Sequence, residues 1–402
     1  MTKLNFSDES VYLSDSHGNN SYSSRLGSLV CLFIYLLVGV LFIFKQVSRL
    51  DWYVASTVSL GYVVLILALP FLTKTFARQS LIKSAYIILV AYTLLMGIIV
   101  PLFIPPGTSG LDRWDIIDAF DSALLAGDYP YLAKGHVNYY YPGPSPFYFI
   151  LTLPFYLTGW YVGIPLAGAW IYVWALKKFN DGRSRPMSIL LLILAPFLFY
   201  EIVTCSTIFF NSAVILLWLC WLKPADTTCR KRMLLHGFIG GLLLATRNCY
   251  IIPVIVTGCC LIRQKDSFRN VLLWGAMVVV GFILIFLPFV FGWGYQTWLE
   301  MNPFKLHFTV FLPQWVTLLI ISVAVISGLL CRHLKDTILL SGIILFVSAL
   351  LQAGMWIGSY SLEDIYLNSM FDITYLIICM PFVMPYITLG GRSGRPSRQL
   401  EI

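Results

Sequence analysis

The chain has 402 residues, of which 58% are hydrophobic and only 11% charged, with a mean hydropathy of +0.80 and a formal net charge of +8. That balance excludes a soluble globular protein, in which about a quarter of residues are charged. It leaves a polytopic helical membrane protein, because apolar runs of membrane-spanning length recur from end to end. The excess of basic residues reads as topology rather than as a nucleic-acid footprint, since Lys and Arg concentrate in cytoplasmic loops. Nine cysteines lie scattered, mostly within apolar runs, without CxxC or Cys/His spacing, so they indicate neither a zinc site nor a disulfide framework.

In chain order, residues 1–26, rich in Ser, Asn and Asp, read as a disordered cytoplasmic tail. The first apolar run starts too late and runs too long for a cleaved secretory signal. One transmembrane domain then extends over 27–390, and 391–402 forms a second cytoplasmic tail. Crossings are expected at 27–46, 52–73, 84–104, 161–176, 187–201, 205–222, 234–247, 249–262, 271–291, 313–331, 337–357 and 373–390, about twelve in all. Basic clusters fall between them, at Lys74–Lys83, Lys177–Arg185, Lys223–Arg232, Arg263–Arg269 and Arg332–Lys335, and place both termini inside. Two features resist the rule. Lys45 and Arg49 face outward, and the apolar stretch 143–158 breaks the parity unless it is re-entrant or interfacial.

This topology sends the chemistry to the outer face. The long loop 105–142 carries LDRWDIIDAFDSALLAGDYPY, with Asp112, Asp115, Asp118, Asp121 and Asp128 in one short segment. Read as a helix, it sets the aspartates against an apolar face of Ile116, Ile117, Phe120 and Leu124, and Gly127 ends it. Asp118 and Asp121 read as a solvated face. Asp112 and Asp115 lie nearest the preceding span, where a partly desolvated carboxylate suits proton abstraction from an attacking hydroxyl.

Arg247, in GGLLLATRNCYIIP, is a lone arginine within a long apolar stretch. Such charges are costly and mark function, here a clamp for a phosphate; the blander reading is snorkelling from a helix end. Glu201, in APFLFYEIVTC, is a weaker case of the same kind, and Asn211 reads as helix packing. On later outer loops lie Lys305 with His307, the histidine being more commonly a surface residue than a catalyst, and Asp364. The aromatics of NYYYPGPSPFYFILTLPFYL, Tyr141 among them, fit an interfacial belt. No GxxxxGK[ST] or GxGxxG points to a nucleotide.

Taken together, an aspartate after a transmembrane helix, the loop helix ending in ALLAGDYPY and the Tyr141-Pro142 run resemble the GT-C superfamily of integral-membrane glycosyltransferases. The branch most similar is the polyprenyl-phosphate-mannose type. Asp112, Leu124-Leu125-Ala126-Gly127, Pro130-Tyr131 and Tyr141-Pro142 match its loop, and GFIGGLLLATRN resembles its glycine-rich helix pair with a basic residue, here Arg247. FFNSAVILLWL and NSMFDITYLIICMPF are similar to later segments. Gly143-Pro144 stands where the family has Pro-Leu, Phe210 replaces a glutamine, and three spans rather than one precede the aspartate loop.

The resemblance implies an all-α bundle and an inverting hexosyltransferase in a bacterial inner membrane, moving a sugar from a polyprenyl-phosphate donor to a glycolipid or polysaccharide acceptor. Asp112 is the expected base, with Asp115 as alternative. Arg247, with Lys305 and His307, would hold the donor phosphate, while Tyr141, Glu201 and Asp364 would line the acceptor cavity. No cofactor is required, although paired aspartates can hold Mg or Mn. The rival readings are a polysaccharide polymerase or ligase of the outer leaflet, and a transporter or lipid flippase.

Overall fold

The computed structural model describes residues 21–74, 78–105, 112–137, 139–179, 185–222, 229–263, 268–308, 312–331, 333–357, 360–368 and 371–387. The expected tail at 391–402 and most of that at 1–26 lie outside them, but the first helix already begins at Ser21, inside the expected tail. The described residues are helical throughout, without strands. Three long helices come first: α1 (Ser21–Val47), α2 (Trp52–Lys74) and α3 (Arg78–Phe103). The aspartate stretch is α4 (Asp112–Ala126), and α5 (Pro146–Thr158) and α6 (Gly163–Phe179) follow. Next are α7 (Arg185–Ile193), α8 (Pro196–Val203), α9 (Ile208–Trp221), α10 (Arg230–Leu244), α11 (Ile251–Arg263) and α12 (Phe268–Leu284). Three short helices, α13 (Leu287–Gly292), α14 (Tyr295–Glu300) and α15 (Pro303–Phe308), lead to α16 (Gln314–Leu330) and α17 (Leu334–Trp356). The chain closes with α18 (Leu362–Tyr366), a 3-10 segment Ile373–Cys379 and α19 (Met380–Ile387).

Five of these stretches are long and apolar enough to cross a membrane: Arg25–Val47, Trp52–Thr73, Gln79–Phe103, Phe268–Gly292 and Lys335–Trp356. A sixth appears if α7 and α8, bent by 53°, count as one. The expected number of about twelve is therefore not reached by length. The physical reason is visible in α9, whose 14 residues extend only ~21 Å at the rise of an α-helix. Its residues are apolar because other helices surround them, and Ile208, Phe209, Ala213 and Leu216 are all fully buried. Hydropathy rises alike for a helix in lipid and a helix in a core. The expected re-entrant stretch 143–158 is α5, 13 residues long and closed by Gly159 in the left-handed conformation.

Two contacts at backbone distance fix the bundle. A methyl group at Gly241 would lie 2.1 Å from the Val278 carbonyl oxygen, and one at Gly281 2.2 Å from that of Phe238, so α10 and α12 touch through their main chains. The glycine-rich run before Arg247 is thus a packing device. Beside it, His236 is held on every polar atom. Its Nδ1 accepts from Trp274 Nε1 at 3.1 Å, which makes Nε2 the donor to the Trp218 carbonyl, also at 3.1 Å. The Trp218 ring stacks on the imidazole with centroids 4.5 Å apart.

Side-chain contacts gather the outward-assigned segments at one end of the bundle. Trp293 Nε1 donates to the Gly127 carbonyl, Tyr129 to that of Met301, and Arg113 pairs with Asp372. Around the connector from α16 to α17, Tyr386 donates to the Lys335 carbonyl and Arg263 to that of Leu329.

Candidate functional site

The site is built where α10 ends. The chain turns at Ala245-Thr246, and Arg247 takes an extended conformation before α11 begins. Across from it, the start of α5 is bonded to this turn. The Ser145 amide donates to the Thr246 carbonyl at 3.4 Å and the Phe147 amide to that of Ala245 at 3.2 Å. The aromatic stretch therefore delivers Tyr148 directly under Arg247, with the guanidinium carbon 5.6 Å from the ring centre. Tyr148 is oriented in turn by Thr207, whose hydroxyl donates to its phenolic oxygen at 2.8 Å. Arg247 Nε is buried with no hydrogen-bond partner among the described residues. A guanidinium has five N–H donors, and leaving one unmade in a low-dielectric setting is costly.

Arg247 lines a cavity of about 260 Å³ enclosed by α11, α16, α17 and the Ile373–Cys379 segment. Ile252, Ile320 and Leu345 make its walls apolar, and Asn248, Thr317, Ser348, Gln352 and Tyr375 supply the polar groups. Apolar walls, a few convergent polar groups and one cation are the features of cavities that take small ligands.

Two residues without an assigned role in the sequence tie the aspartate helix to this cavity. Arg113, on the first turn of α4, pairs with the Asp372 carboxylate and donates to Thr374 Oγ1 at 2.9 Å. Burial alone would raise the Asp372 carboxyl; Arg113 and the Thr374 hydroxyl and amide outweigh it and hold it below the usual carboxylate range. Asp372 precedes Tyr375 by one turn, so α4 begins at the mouth of the Arg247 cavity. Asp112 opens α4, and its side chain lies outside the described residues. The signal for Arg113 was its place among the aspartates, and for Asp372 its place before an apolar segment; neither announces the other.

The remaining expected site residues are dispersed. Asp115 is buried and takes both oxygens to backbone, accepting from the His136 amide at 2.7 Å and the Val137 amide at 3.0 Å. It staples the following loop beneath α4. Gly135 fits there because a methyl group would lie 2.1 Å from the Asp115 carboxylate. Glu201 is fully buried and accepts from Ser206 Oγ at 2.6 Å and the Phe209 amide at 2.8 Å, capping the first turn of α9. Arg113 and Arg247 both act on it through space. Lys305 is exposed, its amine spent on the Leu299 and Glu300 carbonyls at the end of α14. The His307 side chain lies outside the described residues. Tyr141 lies under Lys134, 4.9 Å from the amine, and Ser361 caps α18 by accepting from the Asp364 amide while the Asp364 carboxylate accepts from Ser361 Oγ and Asn368 Nδ2. Neither lines the Arg247 cavity.

One reading is overturned. Asp121, taken for a solvated residue, is fully buried, and neither oxygen has a hydrogen-bond partner. It lies on α4 beside Ile117 and Phe120, which join a cluster including Tyr131, Tyr148 and Phe149. Burial, and then the neighbouring Asp118 charge, push its carboxyl up to about 7. Asp118 is raised too, chiefly by burial. Helical spacing pointed Asp121 away from the apolar face, but α5 and the loop after α4 cover that side as well. No three His, Cys, Asp or Glu side chains gather as a metal set among the described residues. The paired-aspartate Mg or Mn site fits poorly for Asp115, whose oxygens are engaged, and for Asp121, which is sealed among rings. Comparison with known proteins returns no match, whether against family models, curated proteins or solved structures.

Proposed function

We propose that the chain is a membrane glycosyltransferase of GT-C type, moving a sugar from a polyprenyl phosphate to a hydroxyl acceptor on the face that carries α4. The observation that carries this reading is Arg247, a half-buried arginine whose Nε has no hydrogen-bond partner among the described residues and which lines a cavity with largely apolar walls. A lipid tail suits the walls, and a guanidinium beside them can hold a phosphate in a planar, two-point contact. As the glycosidic bond to phosphate breaks, negative charge grows on the leaving oxygen, and a fixed cation is worth most at that moment. Asp112, on the turn of α4 that Arg113 holds at the cavity mouth, is the base assigned to the acceptor hydroxyl. Asp115, the alternative base, has both oxygens engaged by backbone amides, which favours Asp112 for this role.

The test uses purified protein in liposomes with polyprenyl-phosphate sugars. Asp112→Asn abolishes transfer at unchanged folding, whereas Asp115→Asn lowers stability and keeps turnover per folded molecule. A fully active Arg247→Lys variant would sink the clamp. A second reading, as a transporter or flippase, draws on one observation, the 53° break between α7 and α8, the latter carrying buried Glu201. Movement of a labelled lipid between leaflets without covalent change would favour it.

A further inference from the structure

The contacts between α11 and α16 fall in register, and a pair of thiols lies among them. Ile252 and Ile320 line the Arg247 cavity together. Further along, a methyl group at Gly328 would lie 2.7 Å from the Val256 carbonyl oxygen and 2.6 Å from Cys259 Cβ, so the two helices touch at main-chain distance. Beyond that, Arg263 Nη1 donates to the Leu329 carbonyl at 2.9 Å. The contacts advance in the same direction along both helices, which makes the pair parallel. Cys260 follows Val256 by one turn on α11, and Cys331 follows Gly328 by one turn at the C-cap of α16. Their thiols are hydrogen-bonded to each other. Both are free, and both are buried, at 0% and 2% exposure.

A disulfide asks for little more than this. It needs Cα atoms about 4.4–6.8 Å apart and side chains aimed at each other. Helices packed through ordinary side chains stand about 8–10 Å apart between axes, and a glycine at the crossing brings them closer. Gly328 supplies that approach one turn before Cys331, and the hydrogen bond shows that the two sulfurs already meet. Cys259, the neighbour of Cys260, sets its Cβ against Gly328 instead and is only partly buried. The spacing of the cysteines along the chain gives no hint of the pair, because α12 to α15 intervene and packing alone brings its members together.

We propose that Cys260 and Cys331 are a site of reversible oxidation, closed to a disulfide by hydrogen peroxide and reopened by a dithiol. One sulfur, as thiolate, attacks a peroxide oxygen. The O–O bond breaks, a sulfenic acid forms, and the departing hydroxide takes up the thiol proton as water. The second sulfur then attacks the first. The S–O bond breaks, and its oxygen leaves with the second thiol proton as another water. Two thiols and one peroxide thus give one disulfide and two waters. Burial slows the first step, which needs a thiolate, whereas the second has both sulfurs in place. The link ties two walls of the Arg247 cavity together at the end away from Arg247 and leaves the guanidinium untouched. It is independent of the reaction that the cavity serves.

The experiment treats the full chain in phosphatidylcholine nanodiscs with hydrogen peroxide, blocks remaining thiols with N-ethylmaleimide, and maps the peptides by mass spectrometry without reductant. A pair joining Cys260 to Cys331 is expected, lighter by two hydrogens than its parts, and dithiothreitol separates it. Because Cys259 shares the peptide, the Cys259→Ser variant assigns the link and retains it, whereas Cys260→Ala and Cys331→Ala lose it. Amide exchange across 314–330 slows about tenfold on oxidation, since tied helices no longer open separately, and recovers on reduction. Loss of the link in Cys259→Ser, sulfinic acid at either position without a link, or no link after hours of exposure would each overturn the site. Unchanged exchange in the linked protein would overturn the restraint on the cavity wall.

Discussion

Helix α10 and the turn it leads into each bury a polar side chain, and they treat it in opposite ways. His236, in the body of the helix, has both ring nitrogens engaged and an indole stacked on its face. Arg247, just past the end, meets an aromatic face and keeps a buried N–H without a partner. Burial and residue type alone would rank both as functional. What separates them is completion: the protein makes both ring bonds of His236 and leaves the Arg247 Nε without a partner. The same contrast divides Asp115 from Asp121 on α4, although the vacancy at Asp121 is closed to any ligand by rings.

The largest effect belongs to the packing side of this contrast. Gly241→Leu would drive a side chain into the Val278 carbonyl, and the cost exceeds the ~3 kcal/mol usual for overpacking because main chain cannot step aside. Thermal unfolding in detergent should show loss of the folded, monodisperse species. Arg247→Ala comes next: turnover should fall about a hundredfold, ~3 kcal/mol of transition-state stabilisation, with melting unchanged. A matching fall in stability would place Arg247 with His236. For His236→Phe the expectation is reversed, with roughly 2 kcal/mol of stability lost through the unpaired Trp274 N–H and Trp218 carbonyl, and turnover per folded molecule retained. Loss of turnover without loss of stability there would break the comparison.

Of the changes in melting temperature, the smallest is expected at Asp121, where it is spread over a pH interval rather than present at every pH. Its carboxyl titrates at about 7 in the fold and near 4 when unfolded, so the unfolded chain loses that proton first. Stability is then greatest below about pH 4, falls as pH rises toward 7, and is level above. Asp121→Asn removes this dependence, and its melting temperature relative to wild type should climb by a few degrees across that interval. A constant difference would mean that the carboxyl is not titrating there.

How much of this was legible beforehand follows the same division. Arg247 stood out because a lone cation in an apolar run has no cheap explanation. The membrane class was plain from hydropathy, whereas the number of crossings was not, since α9 and α11 are apolar for the sake of a protein core. Asp115 could not be told from Asp112, because its partners are backbone amides at His136 and Val137, beyond the end of the helix. Asp121 was misplaced because periodicity describes one helix and takes no account of what covers its other side. Lys45, which broke the charge rule, stands within electrostatic reach of Asp372, a carboxylate some three hundred residues downstream.

The two amide bonds from Ser145 and Phe147 to the carbonyls beside Arg247 carry a kinetic consequence. They make Tyr148, Arg247 and the ends of α5 and α10 one rigid body, with α10 pinned to α12 through glycine. A guanidinium mounted in this way has little freedom to swing toward an incoming phosphate. On the proposed function, recognition works by fit to an existing shape, without the reorganisation cost that induced closure would impose. Opening and shutting, where the catalytic cycle needs them, fall to the neighbouring loops that Arg113 and Trp293 hold by single side-chain contacts.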